Sequence, residues 1–99
     1  MKIENLVKQE VAKFDPHAEV ILFGSRARGD FQNDSDWDFL VLLERPLTQD
    51  LKTLIMDSLY DLELEYDSVI SPLIHTRKEW ETLAVTPIYQ IIKREGKQA

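Results

Sequence analysis

Two carboxylates two residues apart, Asp36 and Asp38, stand at the head of an apolar run that continues to Leu43. If that run is a strand, side-chain alternation puts both acids on one face, ~6–7 Å apart along the chain. Like charges so placed repel, and a divalent cation between them removes the penalty. Carboxylate oxygens are hard donors suited to Mg²⁺, which usually binds through one or two carboxylates plus substrate phosphates. Upstream, Gly24-Ser25 ends another short apolar run. A glycine at a strand end lets a backbone come close to a ligand. A serine opening a helical turn offers its hydroxyl and exposed N–H groups to an anion. Arg26 and Arg28 would add positive charge near phosphates. Each feature alone also has a plainer reading. Asn33 to Asp36 is a polar turn running into a strand, and Ser25 is an N-cap followed by two solvated arginines.

A third acid would complete a two-metal site. Asp67 lies within what reads as a third strand, Tyr66 to Ile74. An acid among Val, Ile and Leu needs a partner or an ion if it is buried, and needs nothing if it sits exposed near an edge. Glu63 and Glu65 are close by, and Glu65 shares the strand face of Asp67, so it is the next candidate.

The elements that must position these residues follow from periodicity. Ile3, Leu6, Val7, Val11 and Phe14 recur at helical spacing, and Asp15-Pro16 stops that helix. Glu19 to Phe23 predicts a strand ending at Gly24, and Arg26 to Ser35 has loop chemistry. Trp37 to Leu43 is apolar on both faces after Asp38, as in strands covered on both sides by helices. Thr48 is a candidate N-cap for a helix whose stripe is Leu51, Leu54, Ile55, Leu59 and Leu62. Pro72 places the end of the third strand near a sheet edge. Thr76-Arg77-Lys78-Glu79 is a capping box that opens a short helix carrying Trp80 and Leu83. Thr86-Pro87 starts a last helix with Ile88, Ile91 and Ile92 inward and Gly96 as its stop. The order helix, strand, strand, helix, strand, helix, helix predicts an α/β (α+β) domain, a small mixed sheet with flanking helices.

With 99 residues, the chain reads as one domain, 1–99. Its 12 basic and 18 acidic side chains leave a net charge of -6, which argues against a broad nucleic-acid surface. The absence of cysteine excludes disulfide scaffolds, zinc knuckles and thiol chemistry. The first residues are charged and amphipathic, unlike a secretory signal, and no apolar run approaches the roughly 18 residues of a membrane span. A soluble cytoplasmic domain is the expectation. His17 and His75 have no partner at metal-ligand spacing, Trp37 faces away from the acids beside it, and Trp37 and Trp80 read as core or anchoring aromatics.

Taken together, Gly24-Ser25-Arg26-Ala27-Arg28-Gly29-Asp30, then Ser35-Asp36-Trp37-Asp38, then a later acid, resemble the DNA polymerase β-like nucleotidyltransferase superfamily. Within it the pattern is most similar to the minimal nucleotidyltransferases, antitoxins often paired with a helical HEPN protein. Arg94-Glu95-Gly96 resembles a frequent ending of that family. The resemblance implies two Mg²⁺ ions on Asp36 and Asp38, with Asp67 binding the second metal and acting as base. It implies that Gly24 and Ser25, flanked by Arg26 and Arg28, hold the triphosphate of ATP. The implied reaction is attack of a hydroxyl on the α-phosphorus with release of pyrophosphate, two metals stabilising the attacking and leaving oxygens. The implied acceptor is a hydroxyl of a HEPN-type protein partner. Two alternatives remain open, transfer to a small molecule such as an aminoglycoside, and an antitoxin that neutralises by contact alone. A minimal core leaves the substrate side open, so a second protein, either a helical partner or another copy, is expected to close it.

Overall fold

The computed structural model describes residues 2–99 of the chain. Its elements run α1 (Ile3–Phe14), β1 (Glu19–Phe23), α2 (Ser25–Arg28), β2 (Trp37–Leu43), α3 (Gln49–Tyr66), β3 (Ile70–Thr76), α4 (Arg77–Thr82), α5 (Pro87–Glu95) and β4 (Lys97–Gln98). The four strands form one mixed sheet in the order β3-β2-β1-β4. β1 is antiparallel to β2 and β4, and β2 is parallel to β3 across the α3 crossover.

β2 explains the layering. Its residues from Phe39 to Leu43 are all buried. Phe39, Val41 and Leu43 point into a cluster with Val7, Val11, Ile55 and Leu59 of α1 and α3. Leu40 and Leu42 point the other way, onto Trp80 of α4 and Ile92 of α5. Asp36 and Asp38 share the parity of Leu40 and Leu42, so they project on the α4–α5 side of the sheet, beyond the cover these helices provide.

The predicted caps form. Thr48 Oγ1 accepts the Leu51 N–H at 3.1 Å, and Thr76 and Glu79 make a complete capping box. Three predicted features differ, the first being that Leu54, expected on the inward stripe of α3, is exposed while Leu51, Ile55, Leu59 and Leu62 are buried. The third strand starts at Ile70, not Tyr66, because α3 runs on through Glu63, Leu64 and Glu65 and ends at Asp67 in the left-handed region (φ 49°). The alternation of Leu62, Leu64 and Tyr66 with acids imitates a strand period, but helical hydrogen bonding prevails. In α5, Ile88 is exposed, and Tyr89 packs inward with Ile92. Four-residue spacing puts Ile88 and Ile92 on one side, but Ile88 lies a turn earlier, past the reach of the sheet.

β4 was not foreseen, since two polar residues carry no strand pattern. It adds an edge to β1, and the Ala99 N–H continues the pairing to Val20 O at 3.0 Å. At the other edge, Trp37 N–H bonds Val69 O, so alternation turns the backbone polar groups of Ile70, Pro72 and Ile74 toward the open edge while the Ile70 and Ile74 side chains stay buried. Pro72 has no N–H to expose and Glu63 Oε1 accepts that of Ile70 at 2.7 Å, which blunts the open edge. Among the described residues no helix is long and apolar enough to cross a membrane.

Candidate functional site

The site forms where β1 ends beside the start of β2. The pairing of Phe23 with Asp38 sets Gly24 next to the Asp38 carboxylate. Gly24 adopts φ 77°, ψ -160°, a region essentially closed to other residues, and a Cβ there would overlap Asp38 Oδ2. The glycine is therefore needed twice, for its backbone conformation and for the room it leaves the acid. Gly24 O accepts the N–H groups of Ala27 and Arg28, both at 3.0 Å, which starts the one-turn helix α2 at Ser25. Gly29, in the left-handed region, ends it.

Asp36 is exposed and Asp38 half-buried. Burial pushes the Asp38 carboxyl above the usual range, and the charges of Asp36 and Glu95 push the same way against the opposing pull of Arg28. Uncompensated negative charge at two hard oxygen donors on one sheet face is what a divalent cation would relieve, so these residues fit one. Ser71, the β3 partner of Asp38, donates to Asp36 Oδ2 at 3.5 Å. An acid at this position of β3 would adjoin the pair, and the chain has a serine there.

Asp67 is not on that strand. As the cap of α3 it lines a polar cleft of about 350 Å³ with Arg26, Asp34, Ser35, Trp37 and Ser68. Among the described residues, no three His, Cys, Asp or Glu side chains are grouped to hold a metal. The grounds for Glu65 as a substitute also fall, because Glu65 belongs to the exposed side of α3 and shares no strand face with anything.

The arginines are already engaged. Arg26 donates to Ser35 O at 3.0 Å and Asn33 O at 3.1 Å, and its guanidinium stacks between Phe31 and Trp37, 4.5 and 4.3 Å from their ring centroids. It braces the loop that delivers Asp36. Arg28 pairs with Asp30 at 3.2 Å and with both oxygens of Glu95 at 3.2 Å. Glu95 Oε1 also accepts the Gly24 N–H at 3.0 Å. Ser25 Oγ, on the residue after Gly24, has no side-chain partner among the described residues.

Glu95 is the site residue that sequence reasoning missed. The Arg94-Glu95-Gly96 ending drew attention to the segment without giving the acid a role. A physical signal existed: Glu95 is the last residue of α5, where the helix dipole disfavours an anion, so the acid needs a partner elsewhere.

Gly24→Ala is expected to lower the activity of the site by at least about 100-fold and to cost on the order of 2 kcal/mol of stability, from strain and displacement of Asp38. Denaturant unfolding alongside an activity assay checks both. Unchanged activity would show that the Gly24–Asp38 approach is dispensable.

Comparison with known proteins follows this geometry. A family profile described as "Nucleotidyltransferase domain" matches residues 3–97. A relative from Methanocaldococcus jannaschii, "Putative protein adenylyltransferase MJ0141", is 43% identical over 58 residues, and the match spans 59% of each protein. A crystal structure of a toxin–antitoxin with AMP-PNP superposes with a TM-score of 0.71 at 23% identity, covering 98% of this chain and 72% of that one. A complex of tri-AMPylated Shewanella oneidensis HEPN toxin with MNT antitoxin gives a TM-score of 0.55 at 21% identity, covering 97% and 71%. At these identities the structural likeness shows the fold, the polymerase β-like nucleotidyltransferase sheet with its flanking helices.

Proposed function

The chain belongs to the nucleotidyltransferase domain family, and from that premise we propose that it moves AMP from ATP onto a hydroxyl of a protein partner. The observation supporting this reading is Asp38 lying against Gly24, with the charge of Asp36 close enough to act on it. The similarity to a protein named as an adenylyltransferase supports AMP as the transferred group. The fold shared with antitoxins complexed to HEPN toxins supports a helical toxin as the partner and acceptor. An exposed apolar stripe on α3, Met56, Tyr60 and Leu64 at four-residue spacing, is the kind of surface a protein partner covers. In this reading residues 1–99 act as a single catalytic domain in the cytoplasm, where ATP is plentiful.

The residues divide the work. Asp36 and Asp38 would hold Mg²⁺ together with the substrate's phosphates, and a cation held there would supply positive charge to the triphosphate and the leaving pyrophosphate. Gly24 keeps the backbone close, and Ser25 orients the phosphates with its hydroxyl. The acceptor oxygen forms a new bond to the α-phosphorus as the bond to the bridging oxygen of the β-phosphate breaks. Catalysis of this type is mainly positioning and charge stabilisation, which a small rigid site can supply. Arg26 acts through the loop it braces. Asp67, at the mouth of the neighbouring cleft, is retained as a candidate base on the acceptor side and not as a metal ligand.

The cleft itself favours a second reading. Its carboxylates, Asp34 and Asp67, suit a small cationic acceptor such as an aminoglycoside. Label transfer from α-phosphate-labelled ATP with Mg²⁺ in a lysate of the source cells separates the readings, with the Asp36→Asn/Asp38→Asn protein as control. A labelled protein band made only by the wild type is the expected result. Label on added amino-sugars and none on protein would move the acceptor to a small molecule. No transfer from folded protein would leave an antitoxin that works by contact alone.

A further inference from the structure

Glu95 makes three hydrogen bonds at the site, and the reading above uses none of them. Its Oε1 accepts the Gly24 N–H at 3.0 Å, and both its oxygens accept Arg28 Nη1 at 3.2 Å. The side chain is only 16% exposed, so the ion pair is sheltered from water on the acid's side. Glu95 stands 71 residues beyond Gly24 in sequence. It is brought there because Gly96 turns the chain out of α5 and β4 then pairs with β1, Leu22 opposite Lys97. Strand and acid are thereby fixed to the same end of the sheet, with Glu95 held at Gly24.

We propose that Glu95 is a positioning residue for the nucleotide: it locks the Gly24 turn and the Arg28 side chain so that Ser25 faces the triphosphate. This rests on the nucleotidyltransferase reading of the site. It also revises the roles of two residues. Gly24 N–H and Arg28, each engaged by Glu95, form the frame of the phosphate site, and Ser25 makes the contact. A carboxylate suits this task. One oxygen meets the backbone donor while Arg28 Nη1 lies 3.2 Å from both oxygens, a charge-assisted contact that ties the Gly24 turn to the Arg28 side chain. Gly24 needs such a restraint more than other residues would, because its positive φ is one of several backbone states open to a glycine.

The alternative is that Glu95 imitates a phosphate and blocks the site until nucleotide displaces it. The two ideas predict opposite signs. Binding of MgAMP-PNP by calorimetry, KM and kcat for ATP in label transfer, and the melting temperature are measured for the wild type, Glu95→Gln, Glu95→Ala, Arg28→Ala and the Glu95→Ala/Arg28→Ala double variant. Glu95→Ala is expected to weaken MgAMP-PNP binding and raise KM by about tenfold, with kcat within about threefold. Glu95→Gln keeps an acceptor for Gly24 N–H and should recover most of the loss. Arg28→Ala should reproduce the effect, and the double variant should add little, as expected for two groups acting through one contact. Tighter nucleotide binding by Glu95→Ala would overturn the proposal in favour of the blocking role. A lower melting temperature with unchanged nucleotide affinity would overturn it in favour of a purely structural role. Failure of the wild type to bind MgAMP-PNP would instead remove the nucleotidyltransferase reading on which it rests.

Discussion

Asp38→Asn is expected to abolish nucleotidyl transfer and, in the absence of metal, to make the protein more stable. The first effect follows from the site's dependence on charge. Asp38 lies against Gly24 with the charge of Asp36 beside it, and an amide would offer a cation one neutral oxygen in place of a shared negative charge. Loss of an electrostatic stabiliser of this kind costs on the order of 10³-fold in rate. Asp36→Asn should lose a similar amount. The second effect follows from the raised pKa of Asp38, caused by burial first and then by the charge of Asp36. An acid whose folded pKa lies above its unfolded value binds more protons in the native state. It therefore takes stability away as pH rises from the ordinary aspartate value, about 3.9, through the raised folded value. Asparagine carries no such penalty. The variant should melt higher than the wild type in EDTA at pH 7, and the gap should close below pH 4. Added Mg²⁺ should raise the melting temperature of the wild type and leave the Asp36→Asn/Asp38→Asn protein unmoved, since a ligand stabilises only the state that binds it. A wild type indifferent to Mg²⁺, or a variant with full activity, would remove the metal site from the argument.

The largest effect on stability is expected at Asp15, which lies at the opposite end of the sheet from the chemistry. It is the buried charged residue among the described residues, 3% exposed. Oδ1 accepts the His17 N–H at 3.0 Å, and Oδ2 accepts those of Glu44 and Arg45 at 2.8 and 3.1 Å. One side chain thus ties the end of α1 to the end of β2. Burial acts to raise its pKa, but the N–H groups of Arg45, His17 and Glu44 favour the charged form and leave it lowered. Asp15→Ala would leave three part-buried backbone donors without their acceptor, at about 3–5 kcal/mol. Because the folded pKa is depressed, the stabilisation is fully present above the unfolded value. It is lost as pH falls through the lower folded value. Urea unfolding of wild type and Asp15→Ala at pH 7 and again near pH 3 tests both. The gap should be widest at pH 7. A gap under about 1 kcal/mol there would mean that water replaces the carboxylate.

The local elements were legible because local physics decides them. The stop at Asp15-Pro16, the Thr48 cap and the Thr76–Glu79 box each depend on residues within one turn of each other. Likewise β1 and β2 were bounded by Gly24 and Asp36, where apolar alternation gives way to loop chemistry. The stretch from Glu63 to Val69 failed for the complementary reason. Leu62, Leu64 and Tyr66 satisfy a strand period, and only the helix already running from Gln49, together with the left-handed cap at Asp67, selects the helical state. That one displaced boundary removed Asp67 from the sheet and with it the third-acid geometry.

The site divides along the same line. Asp36, Asp38, Gly24 and Ser25 could be recognised in sequence because acids two apart on a strand share a face whatever surrounds them, and a glycine-serine turn has a local geometry of its own. The engagement of Arg26 by the Asn33–Ser35 carbonyls and two rings, the pairing of Arg28 with Glu95, and the presence of Ser71 beside the acids depend on which strands become neighbours. Periodicity carries no information about that. Composition and spacing thus determined which groups could meet locally, two acids on one strand face and a glycine–serine turn at the end of another strand. The tertiary structure decided which charges remain free to take part, because a charged side chain is available to a ligand only when no nearer partner from a distant part of the chain has already taken it.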